Sequence, residues 1–448
     1  MTPPAASETI AALASPPGRG ALGVIRVSGS AVPDIARELL GALPAPRSAC
    51  LRRFRDTDGS ALDEGLALYF PAPASFTGEH VLELQGHGGA YVMDSVLQRV
   101  LALGARMARP GEFSERAFLN GKLDLTQAEA VADLIDAGSR DATRAALRSL
   151  RGEFSARVHE LQAQLTELRV YVEAAIDFPD EEIDFLSDQA LKQRLAQVFA
   201  AFHSISAAAR QGALLREGLN VVIAGKPNAG KSSLLNRLAG EDIAIVTELP
   251  GTTRDLLRQQ VHLDGLPVNI VDTAGLRIAA DIVEAEGIRR AKVEIQRADR
   301  VLYVMDAVTD PAAEAADFPP DIPVTWVMNK IDLLGLPDGI VTDQGATRIF
   351  LSARTGAGLD LLRDHLKAVA GYGAPESGAF SARRRHLDAL SRAQNLVTTA
   401  AATLRSTRAF ELFAEDLRLA QRALSDITGE MTSDDLLGEI FGSFCIGK

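Results

Sequence analysis

The sequence predicts a multidomain chain with an N-terminal α+β domain, an α-helical bundle domain, and an α/β domain with a mixed, mostly parallel sheet inserted into the bundle. Length is the first reason: 448 residues are too many for one hydrophobic core and point to about three domains. The second is a change of texture, because a Gly- and Pro-rich opening gives way at Lys122 to a proline-free run that lasts to Phe178. The third is that helical texture returns after Pro375, so it flanks a segment in which apolar strands alternate with glycine turns.

Residues 1 to about 118 hold short strand-like runs, Gly23 to Val27 and Leu66 to Phe70, between turn residues. They suit a compact α+β domain. Residues 119 to 215 form the first part of the helical domain, with apolar residues at helical spacing through Ala130, Leu134, Leu147, Leu150, Phe154, Leu161, Leu165 and Leu168. Thr126-Gln-Ala-Glu129 has the form of a capping box for its first helix, and a second helical stretch runs from Asp188 to Arg216. Residues 216 to 373 form the α/β insert, which ends near Gly371-Tyr372-Gly373. Its runs Leu219 to Ala224, Val268 to Val271 and Val324 to Met328 read as strands, and Asp264-Gly265 as a hairpin turn. A parallel sheet with one antiparallel edge is therefore expected. Residues 374 to 448 complete the helical domain, with helices over 382 to 428 and the tail Phe444-Cys445-Ile446-Gly447-Lys448.

A net charge of −12 argues against a free-standing nucleic-acid binder, because phosphate neutralisation supplies most nonspecific affinity. Any RNA contact needs a local basic patch or a basic partner. Only Cys50 and Cys445 are present, so neither a disulfide framework nor a multi-cysteine metal site is implied. No signal peptide is visible, and no apolar stretch approaches the roughly 18 residues needed to span a bilayer. A cytoplasmic protein is expected.

The chemistry is concentrated in the insert. Gly225-Lys-Pro-Asn228-Ala229-Gly230-Lys231-Ser232-Ser233 lies between a strand and a helix, the context a phosphate-binding loop (P-loop) requires. Backbone N–H groups and the helix N-terminus converge on phosphates there, Lys231 adds a point charge, and the Ser232 hydroxyl suits Mg²⁺. Asn329-Lys330-Ile-Asp332 follows the strand ending at Met328 and places a carboxylate to accept from the N1–H and 2-amino group of guanine. Adenine offers neither donor at those positions, and a site that leaves a buried carboxylate unpaired rejects it by about 10⁴ or more. Asp272-Thr273-Ala274-Gly275 suits a carboxylate near Mg²⁺ and a backbone that senses the γ-phosphate, while Ser352-Ala353-Arg354 supplies a loop over the base. Motifs in this order predict a GTP-binding domain.

Leu276 stands where small GTPases carry a glutamine that orients the attacking water. Leucine cannot orient water, so another polar group must, and some positive charge must replace an arginine finger. Arg277, Asp281, Glu284 and Glu286 all follow, and the spacing does not choose among them. Thr247-Glu248-Leu249-Pro250-Gly251-Thr252-Thr253 offers adjacent threonines, one a candidate Mg²⁺ ligand, and carbonyls able to wrap a monovalent cation.

With these motifs go Pro16-Pro-Gly-Arg19-Gly20, Phe76-Thr-Gly-Glu79, Leu84-Gln-Gly-His-Gly-Gly89, Arg109-Pro-Gly-Glu-Phe-Ser-Glu-Arg116 and the terminal Cys445 tail. Over its whole length the chain resembles the MnmE (TrmE) family of tRNA modification GTPases. The resemblance implies a K⁺-activated P-loop GTPase that dimerises across its nucleotide sites, the cation standing in for an arginine finger. Asn228, Thr247, Leu249 and Thr252 would hold K⁺, Ser232 and Thr253 would hold Mg²⁺, and Glu284 would be the general base. The N-terminal domain would be folate-binding-like, with Arg26, Glu83, Lys122 and Lys448 contacting a 5,10-methylene- or 5-formyl-tetrahydrofolate derivative. Carboxylates suit pterin N–H groups and cations suit the folate tail. Catalytic roles would fall to Glu284, Lys231 and Cys445. The implied partners are a second copy of the chain, tRNA, and the flavoprotein MnmG (GidA), which carries FAD, in a heterotetramer or larger complex. The implied product is an aminomethyl-type group, such as carboxymethylaminomethyl, at C5 of the wobble uridine.

Other features read more simply. Glu79, His80, Glu83 and His87 are irregularly spaced for a metal site and suit structural roles. The terminal Cys-Ile-Gly-Lys lacks the aliphatic residues of a prenylation box. Asp180-Glu-Glu182 reads as a polar loop, and Arg383-Arg-Arg385 suits either an RNA-phosphate contact or a solvated helix start. The rival function is a regulatory RNA- or ribosome-associated GTPase without modification chemistry. The N-terminal domain together with the Cys445 tail argues against it.

Overall fold

A computed structural model of the chain describes residues 8–16, 18–177, 189–240, 258–272, 295–296, 298–309, 322–343, 346–372, 378–407, 409–430, 434–445 and 447. The chain divides into two compact units. Unit 1 comprises Met1–Ile135, Ser149–Phe199 and Ala389–Lys448, and unit 2 comprises Asp136–Arg148 and Ala200–Asp388.

The N-terminal part contains strands β1 (Ile10–Leu13), β2 (Leu22–Ser28), β3 (Cys50–Arg55), β4 (Ala61–Phe70), β5 (Val81–His87) and β6 (Arg106–Met107). Its helices are α1 (Val32–Leu40), α2 (Ala90–Ala102) and α3 (Glu112–Leu119). The strands form one sheet in the order β3-β4-β5-β2-β1-β6, antiparallel except for the β1–β6 pair. Alternation sends Ile25, Val27, Leu82 and Leu84 to one face, where they pack with Val32, Ile35 and Leu39 of α1 and Val96 and Val100 of α2. On β2 and β5 the alternate positions carry Arg26 and Glu83, which are cross-strand partners on the opposite face.

α3 is anchored by a buried charge network. Arg106 and Arg116 both donate to Glu112, at 2.6 and 3.0 Å, and Arg116 also reaches Glu79 at 2.8 Å. Glu79 in turn accepts from the Ser28 hydroxyl at 2.8 Å. Burial pushes the Glu112 carboxyl up, but hydrogen bonds from Arg106, the Arg109 N–H and Arg116 outweigh it and hold the group at about 2.

Helices α4 (Leu125–Asp136), α5 (Arg140–Leu150), α6 (Glu153–Asp177) and α7 (Gln189–Glu217) follow in the chain. The capping box of α4 lies two residues before the predicted one: Asp124 Oδ1 accepts from the Gln127 N–H at 2.9 Å, and Gln127 Oε1 from the Asp124 N–H at 3.0 Å. Thr126 is instead buried inside the helix and bonds Asp124 and Ser155, both at 2.7 Å. The predicted box failed because an aspartate caps as well as a threonine and stood nearer the helix start.

Unit 2 carries β7 (Leu219–Ala224), α8 (Lys231–Ala239), β8 (Arg258–Leu263), β9 (Leu266–Asp272), β10 (Arg300–Asp306), β11 (Val324–Asn329), β12 (Gly339–Asp343), β13 (Ala346–Phe350) and α9 (Leu359–Val369). The sheet order is β12-β13-β11-β10-β7-β9-β8, parallel within and antiparallel at both edges. The expected hairpin edge is present, with Asp264 and Gly265 both at positive φ, as a tight hairpin turn requires. The second antiparallel edge, β12, was not expected. Most of its residues are exposed, so it carries no alternating apolar pattern to read. Leu234, Leu235 and Leu238 of α8 and Leu359, Leu362 and Leu366 of α9 cover the sheet core.

The chain closes with α10 (Arg384–Thr407), α11 (Phe410–Thr428) and α12 (Asp434–Gly442). Within unit 1, α6 and α11 lie along each other, joined by Gln162 to Ser425 at 3.0 Å and Arg169 to Gln421 at 2.8 Å. Ile440, Phe441 and Phe444 pack on Leu125 and Ala128 of α4. Among the described residues no helix is long and apolar enough to cross a membrane.

Because the folded-state pKa of Glu112 lies below its ordinary value of 4.5, its contribution to stability is complete above pH 4.5 and is lost as pH falls from there towards 2. Glu112→Gln should cost about 3 kcal/mol at pH 7 by leaving two arginines short of charge. The variant should also show less added exchange in α3 on acidification than the wild type. Amide hydrogen exchange of α3 in the full chain reads both, and equal protection in variant and wild type would contradict the assignment.

Candidate functional site

The site in unit 2 is built where β7, β10 and β11 end side by side. Parallel register aligns Tyr303 with Ala224 and Asp306 with Asn329, so the loops that leave these strands emerge on one edge. This is the carboxyl edge where α/β sheets place their ligands.

The loop after β7 is shaped by positions no side chain could occupy. A Cβ on Gly225, at φ +144°, would meet the Val304 carbonyl oxygen at 2.1 Å, and one on Gly230, at φ +95°, would meet Asn329 Nδ2 at 2.2 Å. The loop thus lies directly on its neighbours. Between these glycines Asn228 adopts φ +62° with an exposed side chain, and Ala229 is buried. α8 then starts at Lys231 with no acidic residue in its first turn, which leaves its N-terminus suited to an anion. The largely buried Lys231 donates to the Gly225 and Lys226 carbonyls at 2.9 and 2.8 Å, while Ser232 and Ser233 are exposed at the helix start.

Asn329 ties three segments together. Its Nδ2 donates to the Ala229 carbonyl at 2.9 Å, and its Oδ1 accepts from the N–H groups of Lys330 at 2.8 Å and Ala353 at 2.9 Å. Lys330, at φ +69°, turns its ammonium to the Asn228 carbonyl at 2.7 Å and to Asp306 Oδ2 at 2.8 Å. The Ser352 hydroxyl donates to Asp332 Oδ1 at 2.6 Å and accepts from the Thr355 N–H at 3.2 Å. Arg354 is exposed, and its carbonyl receives Arg237 at 3.4 Å. Asn228 to Ser233, Asn329 to Asp332 and Ser352 to Arg354 are therefore assembled into one constellation.

Asp306 belongs to it as well and was missed in the sequence. Its hydrogen bond from Lys330 holds the carboxyl below the usual range, and it also accepts from the Val308 N–H at 3.0 Å. A polar residue closing an apolar strand, one strand away from the Asn-Lys-x-Asp strand, was the available signal. The backbone of Asp272 ends β9 beside Ile223. Thr247 to Thr253, Thr273 to Gly275 and Glu284 lie outside the described residues.

The residues predicted for folate lie in unit 1. Arg26 donates twice to Glu83 Oε1, at 3.0 and 2.9 Å, and its guanidinium stands 5.7 and 5.8 Å from the ring centres of Phe76 and Phe113. Lys122 Nζ donates to the Pro73 carbonyl at 3.1 Å, and Lys448 is outside the described residues. The Glu79, His80, Glu83 and His87 group is dispersed among separate partners: Arg116, Tyr69, Arg26 and Asp63. Among the described residues no cluster of His, Cys, Asp and Glu could hold a metal. Cys445 is exposed, and its carbonyl accepts from the Gly111 N–H at 3.4 Å, while Gly447 lies against Leu13 and Ala14. The tail thus returns to the N-terminal domain.

Comparison with known proteins places the chain in a lineage. A family model for the TrmE N-terminus, described as that of a GTP-binding protein, matches residues 9–122, and one for the MnmE helical domain matches residues 125–445. The tRNA modification GTPases MnmE of two Yersinia pseudotuberculosis strains, serotype IB (PB1/+) and serotype I (IP32953), are each 58% identical over 99% of this chain and 99% of their own. Among solved structures, a variant of Aquifex aeolicus Era bound to GDP.AlF4- is 26% identical over 40% of this chain and 66% of that one, with a TM-score of 0.26. Identity of 58% along the whole of the Yersinia chains and this one, together with family models that meet near residue 123, means that this chain belongs to the MnmE (TrmE) family of tRNA modification GTPases.

Proposed function

We propose that the chain is a K⁺-activated GTPase that hydrolyses GTP on the edge of the unit 2 sheet in order to modify the wobble uridine of tRNA. The observation that carries the GTPase reading is the hydrogen-bonded linkage of Asn329, Lys330, Asp332 and Ser352 to the loop at Asn228 and Ala229. The tRNA part is supported by the full-length likeness to tRNA modification GTPases.

The described residues have roles that their positions support, and the others take theirs from the family the chain belongs to. Asp332 uses Oδ1 for Ser352, and its carboxylate accepts from guanine N1–H and the 2-amino group. Lys231 exchanges its loop carbonyls for the β- and γ-phosphates, and the N-terminus of α8 offers its N–H groups to the same charge. The exposed hydroxyl of Ser232 suits Mg²⁺, completed by Thr253, and the exposed Asn228 suits K⁺, completed by Thr247, Leu249 and Thr252. Asp272 and the Thr273 to Gly275 segment follow the γ-phosphate, and Glu284 orients and deprotonates water in place of the glutamine that Leu276 replaces. In unit 1, Arg26, Glu83, Lys122 and Lys448 hold a tetrahydrofolate derivative. The half-buried Arg26–Glu83 pair and the partly exposed ring of Phe76 match the polar and planar parts of such a ligand. When bound, the folate supplies a one-carbon unit and the metal ions neutralise phosphate charge. Cys445 participates from the tail. The working assembly is a cytoplasmic homodimer with an FAD-carrying MnmG (GidA) partner, and the product carries an aminomethyl-type group such as carboxymethylaminomethyl at C5.

Removing the carboxylate that steers Lys330 should loosen the base pocket for every guanine nucleotide. Asp306→Ala should weaken GTP and GDP alike about tenfold, close to 1.4 kcal/mol, by titration with a fluorescent nucleotide. Unchanged affinity would remove Asp306 from the site. GTP hydrolysis should be faster in K⁺ than in Na⁺ at equal ionic strength, and equal rates would reject the K⁺ role. Nucleoside mass spectrometry of tRNA from cells lacking the chain, or carrying Glu284→Ala or Cys445→Ser, should show wobble uridine without the C5 group. Fully modified uridine in the deletion would sink the modification reading and leave a regulatory GTPase.

A further inference from the structure

Unit 2 brings arginine-bearing segments from distant parts of the chain into contact. The Ser381 N–H donates to the Ala145 carbonyl at 3.1 Å, and the Arg148 guanidinium to the Ala379 carbonyl at 3.3 Å. Ala145, Ala379 and Leu215 share a small apolar core, and Gly212 of α7 lies against the Phe380 carbonyl. These contacts bring α5, the segment leading into α10, and the end of α7 side by side. Residues 136–148 and 378–388 hold six arginines, three aspartates and no lysine, in a chain whose net charge is −12.

The arrangement is built outward. On α5, Arg140 and Arg144 stand one turn apart on the side away from the buried Ala142, Ala146 and Ser149, while Arg148, next in the row, is half-buried and turned to the Ala379 carbonyl. Arg140, Arg144, Arg210 and Arg384 are exposed. Asp141 offsets these charges only in part, standing 3.5 Å from Arg144 and sharing its carboxylate with the Tyr372 hydroxyl at 3.4 Å.

The start of α10 adds an independent sign. Its first turn has no acidic residue and opens with Arg384 and Arg385, directly after Arg383. Cations there meet the positive end of the helix dipole, where carboxylates would stabilise the helix. His386 Nδ1 accepts from the Arg383 N–H at 3.0 Å and caps this start, and an anion seated beside Arg384 would add the negative charge that the first turn lacks. Guanidinium forks match phosphate oxygens two at a time, which suits an all-arginine composition.

We propose that this surface of α5 and the start of α10 binds an RNA phosphate backbone, that of the tRNA on which the proposed function acts. It rests on the reading of tRNA as the substrate. In a chain of net charge −12, binding RNA requires a local concentration of cations, which this patch supplies.

The test uses the full chain and fluorescently labelled tRNA, titrated between about 50 and 200 mM salt. The triple substitution Arg140→Gln, Arg144→Gln and Arg384→Gln should weaken tRNA at least about tenfold and reduce the slope of log affinity against log salt by about two. GTP affinity and hydrolysis without tRNA should stay as in the wild type. The corresponding lysine triple should keep the wild-type slope. Unchanged affinity and slope in the glutamine triple would overturn the proposal, and so would lost affinity with an unchanged slope, which marks a structural effect. Normal tRNA binding with loss of an acidic protein partner would reassign the surface to that protein. A wild-type chain that holds no tRNA would overturn the patch alone, because wobble-uridine analysis in cells decides the modification reading separately.

Discussion

The nucleotide edge of unit 2 depends on one carboxamide. Asn329 is fully buried and both donates and accepts, so a single side chain fixes the loop after β7 through Ala229 and the loop after β13 through Ala353. A carboxylate could not donate to the Ala229 carbonyl, and a hydroxyl could not reach both loops. Loss of either bond would leave a buried polar group unpaired, at about 1–3 kcal/mol each. Glycine at position 230 follows from the same contact, since any side chain there would displace the amide.

That constraint propagates to the charges. With the backbone turned at Lys330, its ammonium bridges the Asn228 carbonyl and the Asp306 carboxylate, and Asp332 meets Ser352. The loops proposed to recognise the base and to bind phosphate are thus joined by direct bonds, which lowers the ordering cost of binding. The N-terminal sheet of unit 1 follows a different economy. The face under α3 carries Arg26 and Glu83 as a half-buried pair, while the Arg106, Glu112, Arg116 and Glu79 network satisfies the charges that bind α3 to the sheet. Through the Gly111 to Cys445 bond, the end of the chain belongs to the same body as its beginning.

Much of this was legible in the residues. The strands at Leu219, Val268 and Val324, the hairpin at Asp264-Gly265 and the phosphate-loop context of Lys231 follow from short-range patterns that need no partner to be read. The capping box of α4 slipped by two residues because several cap-forming side chains stood in succession. β12 carried no apolar alternation, since an exposed edge strand needs none. Asp306 looked like an ordinary strand end, because its partner Lys330 is distant in sequence and adjacent only through parallel register.

The sequence by itself determined the chemical inventory and its local geometry. Glycine where the backbone must approach closely, a lysine at a helix start and an Asn-Lys-x-Asp turn after a strand are properties of a few consecutive residues, set by sterics and hydrogen-bonding capacity. The tertiary structure alone decided which of these groups act together. It set Asp306 beside Lys330, returned Cys445 to Gly111, and brought the arginine-bearing α5 against the segment that leads into α10. Each of these pairings spans residues far apart in the chain, and only the register of strands and the packing of helices, which sum over the whole fold, bring such residues within reach of one another.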